Sequence, residues 1–189
     1  YLERLKSGTA GLPILYVSHA LDEVARLADH LVILSKGKVA ATGSIFDVLA
    51  DPANVPLLGV RQAGAVLRAT VIEHGTDGIS TLHVNAGEIE LPGVVAPVGT
   101  RVRLHVLAQD VILSRKRPKG LSSVNILPVT IKNIRTGDGP GAAISLDAAG
   151  DQLLARVTAR AVQDLELSKG THCFAVIKAT SIAASSIGR

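Results

Sequence analysis

The sequence predicts a mixed fold: an α/β segment over residues 1–50, then an all-β part made of two small barrels in tandem. Three observations carry this. A short continuous apolar run, Pro13-Ile14-Leu15-Tyr16-Val17, is followed at once by Ser18-His19 and then by apolar residues at helical spacing. Such a run marks a strand buried on both faces. From Ala65 onward, short alternating or apolar runs are separated by Gly and Pro, the pattern of short strands joined by turns. Finally, two stretches repeat: Val98-Gly99-Thr100-Arg101-Val102 matches Lys169-Gly170-Thr171-His172-Cys173, and Ala108-Gln109-Asp110-Val111 falls opposite Ala179-Thr180-Ser181-Ile182 at the same offset. Upstream, Val71 to Leu82 resembles Val129 to Leu146 less tightly. Two related modules explain this better than chance likeness between β-rich segments.

The elements follow in order. Residues 1–11 read as helical, turning through Gly8 and Gly11. Leu21, Val24, Ala25, Leu27 and Ala28 recur at helical spacing, with Asp22 and Glu23 in the first turn, where the helix dipole favours negative charge. Leu31 to Leu34 and Lys38 to Ala41 flank Lys36-Gly37, a hairpin signal. Ser44 caps a short helix from Ile45 to Leu49. Residues 51–62, with Asp51-Pro52, Pro56 and Gly59, read as a linker. Strands are expected over Ala65–Glu73, Ile79–Val84, Glu88–Leu91 and Arg101–Val106 in the first module (63–115). The second (120–185) gains a helix over Thr158–Leu167.

Composition narrows the function. With 189 residues, 47% of them apolar, a core is easily built. Tyr1, Tyr16, Phe46 and Phe174 are the only aromatics, so there is no stacking platform for single-stranded nucleic acid. The net charge is +4, and the tightest basic cluster is Arg115-Lys116-Arg117 with Lys119. A nucleic-acid patch is one reading; a solvated linker fits better, because Pro118 and Gly120 interrupt the cluster at a module boundary. No nucleic-acid partner is expected. The lone Cys173 permits no disulfide within one chain and fits a reducing cytosol. It makes no nucleophile pair with His172, because adjacent strand residues face opposite ways. His19, His30, His74, His83, His105 and His172 show no metal-ligand spacing. Asp138-Gly139 is a turn signal without the acidic run of a calcium loop. No apolar run approaches the roughly 18–20 residues of a membrane span and none reads as a signal peptide, so membrane association is expected to run through a partner.

The segment Ser18 to Ser44, S-H-A-L-D-E-V-A-R-L-A-D-H-L-V-I-L-S-K-G-K-V-A-A-T-G-S, resembles the last part of an ABC ATPase domain. The resemblance implies that His19 is the switch-loop histidine, which reaches the γ-phosphate of ATP and helps orient the attacking water. A turn imidazole can hydrogen-bond a phosphate oxygen and sense its loss; a purely structural turn histidine is the alternative. No G-x-x-x-x-G-K-[ST] phosphate loop is present and no acidic Mg²⁺ ligand ends a strand before His19. The chain is therefore expected to need further ATPase parts, with their ATP and Mg²⁺, for hydrolysis.

The stretch Leu121 to Ile182 resembles the OB-like barrel called Mop or TOBE, found in molybdate-binding proteins and at the end of certain ABC transporter ATPases. The likeness rests on the S-x-x-N opening at Ser122, V-T-A-R-A at Val157, and I-K-A-T at Ile177. It implies an oxyanion, molybdate or tungstate, held between modules of neighbouring subunits by Ser122, Asn125, Thr158, Lys178, the backbone at Ala179, and Thr180. Hydroxyl and N–H donors plus one lysine suit a tetrahedral dianion. Ordinary capping by Ser122 and Thr158 and a solvated Lys178 are the alternatives. Val124 and Ala161 replace an arginine and a hydroxyl of the family pattern. Losing a charge-assisted donor costs on the order of 1.5–3 kcal/mol.

Together these resemblances imply the C-terminal regulatory part of the ATP-binding subunit of a molybdate ABC importer. It would pair with a second copy and, at the inner face of the cell membrane, with a permease, and indirectly with a periplasmic binding protein. The alternatives are a stand-alone oxyanion-storage protein of the molbindin kind, or a TOBE-bearing ABC ATPase for sulfate, sugar, iron or polyamine.

Overall fold

The computed structural model describes residues 13–137 and 139–188. The helical reading of the first eleven residues and Asp138 of the turn signal lie outside the described residues. Helix α1 (Leu21–Leu27) leads to a hairpin of β1 (His30–Ser35) and β2 (Lys38–Ser44). Lys36 and Gly37 both have positive φ, 50° and 73°, as a two-residue turn matching the strand twist requires. Helix α2 (Ile45–Ala50) follows, and the Ser44 hydroxyl accepts from the Phe46 amide at its start. These elements form where the sequence places them.

Pro13 to Val17 does not form a strand. Leu15 is 93% and Val17 87% exposed. A central strand exists only between neighbours that take up its N–H and C=O groups, and none of the described strands pairs with this run. The stretch 51–62 is folded rather than extended. Pro52–Asn54 makes a 3₁₀ turn, Val55–Leu58 forms α3, and the buried Asn54 amide donates to the Val48 carbonyl at 2.9 Å.

The remainder is two antiparallel five-stranded sheets. The first holds β3 (Gly64–His74), β4 (Ile79–Val84), β5 (Gly87–Pro92) and β6 (Arg101–Leu107). The second holds β8 (Asn125–Thr136), β9 (Gly141–Ala148), β10 (Asp151–Thr158) and β11 (His172–Ile177), with α4 (Ala159–Asp164) before β11. Each sheet receives its fifth strand from the other module. β7 (Val111–Ser114) ends the first module's stretch of sequence yet pairs with β11, and β12 (Ile187–Gly188) follows the second yet pairs with β6. Sheet membership thus crosses the boundary expected between residues 115 and 120, and extends past residue 185.

The repeat is visible bond by bond. Val71 donates to Thr100 O (3.0 Å) and accepts from Gly99 N (2.8 Å); Ile131 donates to Thr171 O (3.0 Å) and accepts from Gly170 N (2.8 Å). Gly99 and Gly170 sit at φ 83° and 88°, a conformation costly for any residue with a Cβ. Ladder bulges follow Val71 and Ile131 in the two long strands. The structural partner of Val71 is therefore Ile131, two residues beyond the Val129 suggested by sequence, while Leu82 does match Leu146. A bulge adds a residue without changing the apolar pattern around it, so periodicity alone slips there.

One core serves both modules. Leu67, Ile89 and Leu104 from the first sheet and Leu127, Ile144 and Leu153 from the second are fully buried in the same cluster. At roughly 1.5–3 kcal/mol per buried aliphatic side chain, this shared layer welds the barrels together. A satellite cluster of Val24, Ala25, Ile45, Leu49 and the outward-facing Val66 seats α1 and α2 on the back of the first sheet.

Candidate functional site

The start of β8 meets the end of β11, with Asn125 opposite Ile177. The Ser123 hydroxyl donates to Ile177 O at 2.8 Å and holds the preceding loop against the strand end. Ser122 thus precedes the strand start, and the turn Lys178-Ala179-Thr180 follows the strand end, at the same end of the sheet. Ser122, Lys178 and Thr180 are exposed and Ala179 is half-buried. Lys178 presents its ammonium to solvent while its carbonyl accepts from the Ser181 amide (3.0 Å) and hydroxyl (2.8 Å). One cation and two hydroxyls are thus exposed at this end of the sheet.

Asn125 is otherwise occupied. It is buried; its Oδ1 accepts from Glu90 N at 2.7 Å and its Nδ2 donates to Glu90 O at 3.0 Å. The amide imitates a ladder partner for edge strand β5, joining the second barrel to the first. Thr158 lies at the far end of the sheet. β10 ends there opposite Gly141, beyond the last residues of β8. Its hydroxyl accepts from Ala161 N at 3.1 Å and caps α4, a helix shorter than the expected Thr158–Leu167. In a single chain Thr158 and Lys178 therefore stand at opposite ends of β8.

His19 is exposed in the turn just before α1. The helix it leads into is bolted to the first barrel by residues the sequence did not single out. On β6, Val102, Leu104 and Val106 face the core, while Arg103 and His105 face α1. Arg103 donates to the Ala28 carbonyl (2.6 Å) and pairs with Asp29. His105, 2% exposed, holds the Asp22 carboxylate at 2.9 Å through Nδ1. A carboxylate only accepts, so Nδ1 carries the hydrogen and the neutral ring leaves Nε2 a bare lone pair. Nε2 is buried and finds no partner among the described residues. Burial pushes the imidazole's pKa down, and the bond and charge of Asp22 oppose that without overcoming it. The available sequence signal was the polar alternation Arg101, Arg103, His105 on an otherwise apolar strand. Cys173 is buried with its thiol pKa pushed up by desolvation, an inert core side chain. Among the described residues no group of His, Cys, Asp or Glu could hold a metal ion, and no helix is long and apolar enough to cross a membrane.

Two five-stranded antiparallel sheets of matching topology define an OB-like class of module. Residues 121–184, within the second module, match the TOBE domain model. Over its whole length the chain is 40% identical to the molybdenum import ATP-binding protein ModC of Mesorhizobium japonicum, and over 96% of its length 40% identical to ModC of Rhizobium etli. It spans about half of these curated relatives, 51% of each, corresponding to their C-terminal half. Among solved structures, the cytoplasmic molybdate-binding protein ModG, with molybdate bound, matches at TM-score 0.54 and 27% identity. That match covers 65% of this chain and 94% of ModG.

Proposed function

We propose that this chain is the C-terminal regulatory portion of the ATP-binding subunit of an ABC importer of molybdate, and that its TOBE barrel binds the oxyanion between two copies. The observation that carries the reading is the separation of Lys178 from Thr158 along β8. Ser122, Lys178, the Ala179 backbone and Thr180 form one half-site, and Thr158 of a second copy supplies the other. Thr158 keeps its hydroxyl hydrogen free to donate, because its bond to Ala161 uses only a lone pair. Asn125 drops out as a ligand and acts as the brace that holds the half-site's strand to β5. Val124 and Ala161 offer no donor, so the site relies on one cation and hydroxyls.

His19 takes the switch role in this reading, reading the γ-phosphate of Mg-ATP once the remainder of the ATP-binding domain is in place. Asp22, three residues on, ties the same helix to His105. A change at the nucleotide thus reaches the barrels through one helix, and oxyanion bound between barrels biases the same equilibrium in return, giving feedback by accumulated substrate. The partners are a second copy, a membrane permease at the inner face of the cell membrane and, indirectly, a periplasmic binding protein.

Titration calorimetry of the chain with molybdate, tungstate and sulfate, with its mass in solution recorded, tests the proposal. Molybdate and tungstate binding to a dimer is expected, weakened about ten- to a hundredfold by Lys178→Ala. No heat from a well-folded dimer would reject the oxyanion site and leave the barrels as a dimerisation element.

A further inference from the structure

The back of the first sheet carries a concentration of arginines. Between the hairpin–α2 unit and the back of the first sheet runs an open cleft of about 630 Å³, lined by Asp29, Ser44 and Phe46 on one wall and by β3, β4 and β6 on the other. Strand register sets its floor. Arg68 stands directly opposite Arg103, and the next row on the same face is His83, Thr70 and Arg101. Like charges opposed across a ladder repel, and a sheet accumulates them at a cost unless something neutralises them.

The available carboxylates fall short. Arg103 is matched by Asp29. Arg68 has Asp151 at 3.9 Å, beyond hydrogen-bonding reach. The Arg101 side chain has no ion pair or hydrogen bond with any described residue. Phe46 organises the guanidinium groups: Arg68 Cζ lies 3.5 Å and Arg103 Cζ 5.4 Å from its ring centroid. Cation–π contact orients the planar forks, and covering the ring removes it as a surface for stacking a base.

We propose that this cleft binds a tetrahedral dianion, gripped by Arg68, Arg101 and Arg103 with the Thr70 hydroxyl as an additional donor. Guanidinium forks suit paired oxygens of such an ion. The same chemistry is presented by a free oxyanion and by the terminal phosphoryl group of a nucleotide. Because one wall belongs to the hairpin–α2 unit and the other to the barrel, the anion clamps the two together. The site needs no second copy and no Lys178, and so does not depend on the function proposed above.

The test is calorimetric titration of the 189-residue chain carrying Lys178→Ala, which removes the half-site cation, with tungstate, phosphate and ADP as separate ligands. One site per chain is expected to survive. It should weaken at least tenfold in Arg68→Gln/Arg101→Gln; both side chains are exposed, and thermal unfolding checks that the variant folds. If the double variant unfolds, Arg101→Gln alone, which breaks no ion pair or side-chain hydrogen bond among the described residues, decides. Tungstate or phosphate binding assigns the site to free oxyanions; ADP binding alone assigns it to a nucleotide's phosphoryl group. Absence of binding for all three ligands, or unchanged affinity in the arginine variants, overturns the proposal.

Discussion

The two barrels share a topology to the level of a bulge and a glycine turn, yet their matching positions do opposite jobs. Gly64 of the first barrel corresponds to Val124 of the second, Ala65 to Asn125, and Arg103 and His105 to Phe174 and Val176. The first barrel spends its polar positions on the outward face of β6, holding α1. The second spends them at the mouth, where Lys178 and Thr180 stand in place of Leu107 and Gln109. One scaffold is present twice; the choice of which face carries polar groups made one copy a mount and left the other with an exposed lysine and threonine at its mouth. The reciprocal exchange of β7 and β12 ties the two sheets together.

The difference is sharpest at Gly64. A Cβ there would lie 2.4 Å from Val106 O and 2.9 Å from His105 Nε2, both held by β6 and unable to yield. Gly64→Ala is expected to destabilise the chain by about 3 kcal/mol, at the upper end of overpacking costs. Val124→Ala, at the matching but 55% exposed position, should fall within about 0.5 kcal/mol of the parent. Urea denaturation of the two variants checks this; equal effects would mean the barrels are not differentiated there. Next in size is Asn125→Ala. It strips Glu90 of both amide partners, and a loss of about 2 kcal/mol is expected from the bonds forfeited. Hydrogen exchange should show the loss concentrated in β5, with the second sheet's own ladders unaffected.

Much of this was legible in the sequence, and the failures have physical causes. The hairpin, α2 and the strands of the first module stand where Gly, Pro and alternation place them, because those signals are local. The repeat was legible because the Gly99-Thr100 and Gly170-Thr171 turns need the same backbone. The role of Asn125 was not, since its partner Glu90 lies in another sheet and nothing in S-x-x-N distinguishes a ligand from a brace. His105 and Asp22 meet across 83 positions, and no periodicity reports such a pair. The apolar run at Ile14 reads as a strand by composition, but strands are made by neighbours.

His105 also separates the barrels by pH. Its folded pKa is lowered, chiefly by burial, so the unfolded chain binds the proton more readily. The stability gained from a neutral ring is present above the unfolded value of about 6.5 and is lost as pH falls below it toward the folded value. One proton bounds the slope at about 1.4 kcal/mol per pH unit. His105→Val, which installs the residue found at the matching site Val176, should flatten the unfolding midpoint between pH 7 and 5. An unchanged pH profile would show that Asp22 keeps the ring equally protonated in both states.

The smallest effect is expected at α4, which the first barrel lacks. Thr158→Ala removes the helix cap, costing about 1 kcal/mol, whereas Thr158→Ser keeps it. Stability alone cannot tell a cap from a ligand, but affinity can. If Thr158 only caps, Thr158→Ser and Thr158→Ala should bind molybdate alike once both are folded. If it also donates across a dimer, serine should preserve affinity and alanine should lower it about tenfold, roughly one neutral hydrogen bond. The two variants, compared by calorimetry at a temperature where each is fully folded, decide whether the second barrel's extra helix serves only its own fold or completes a site for its neighbour.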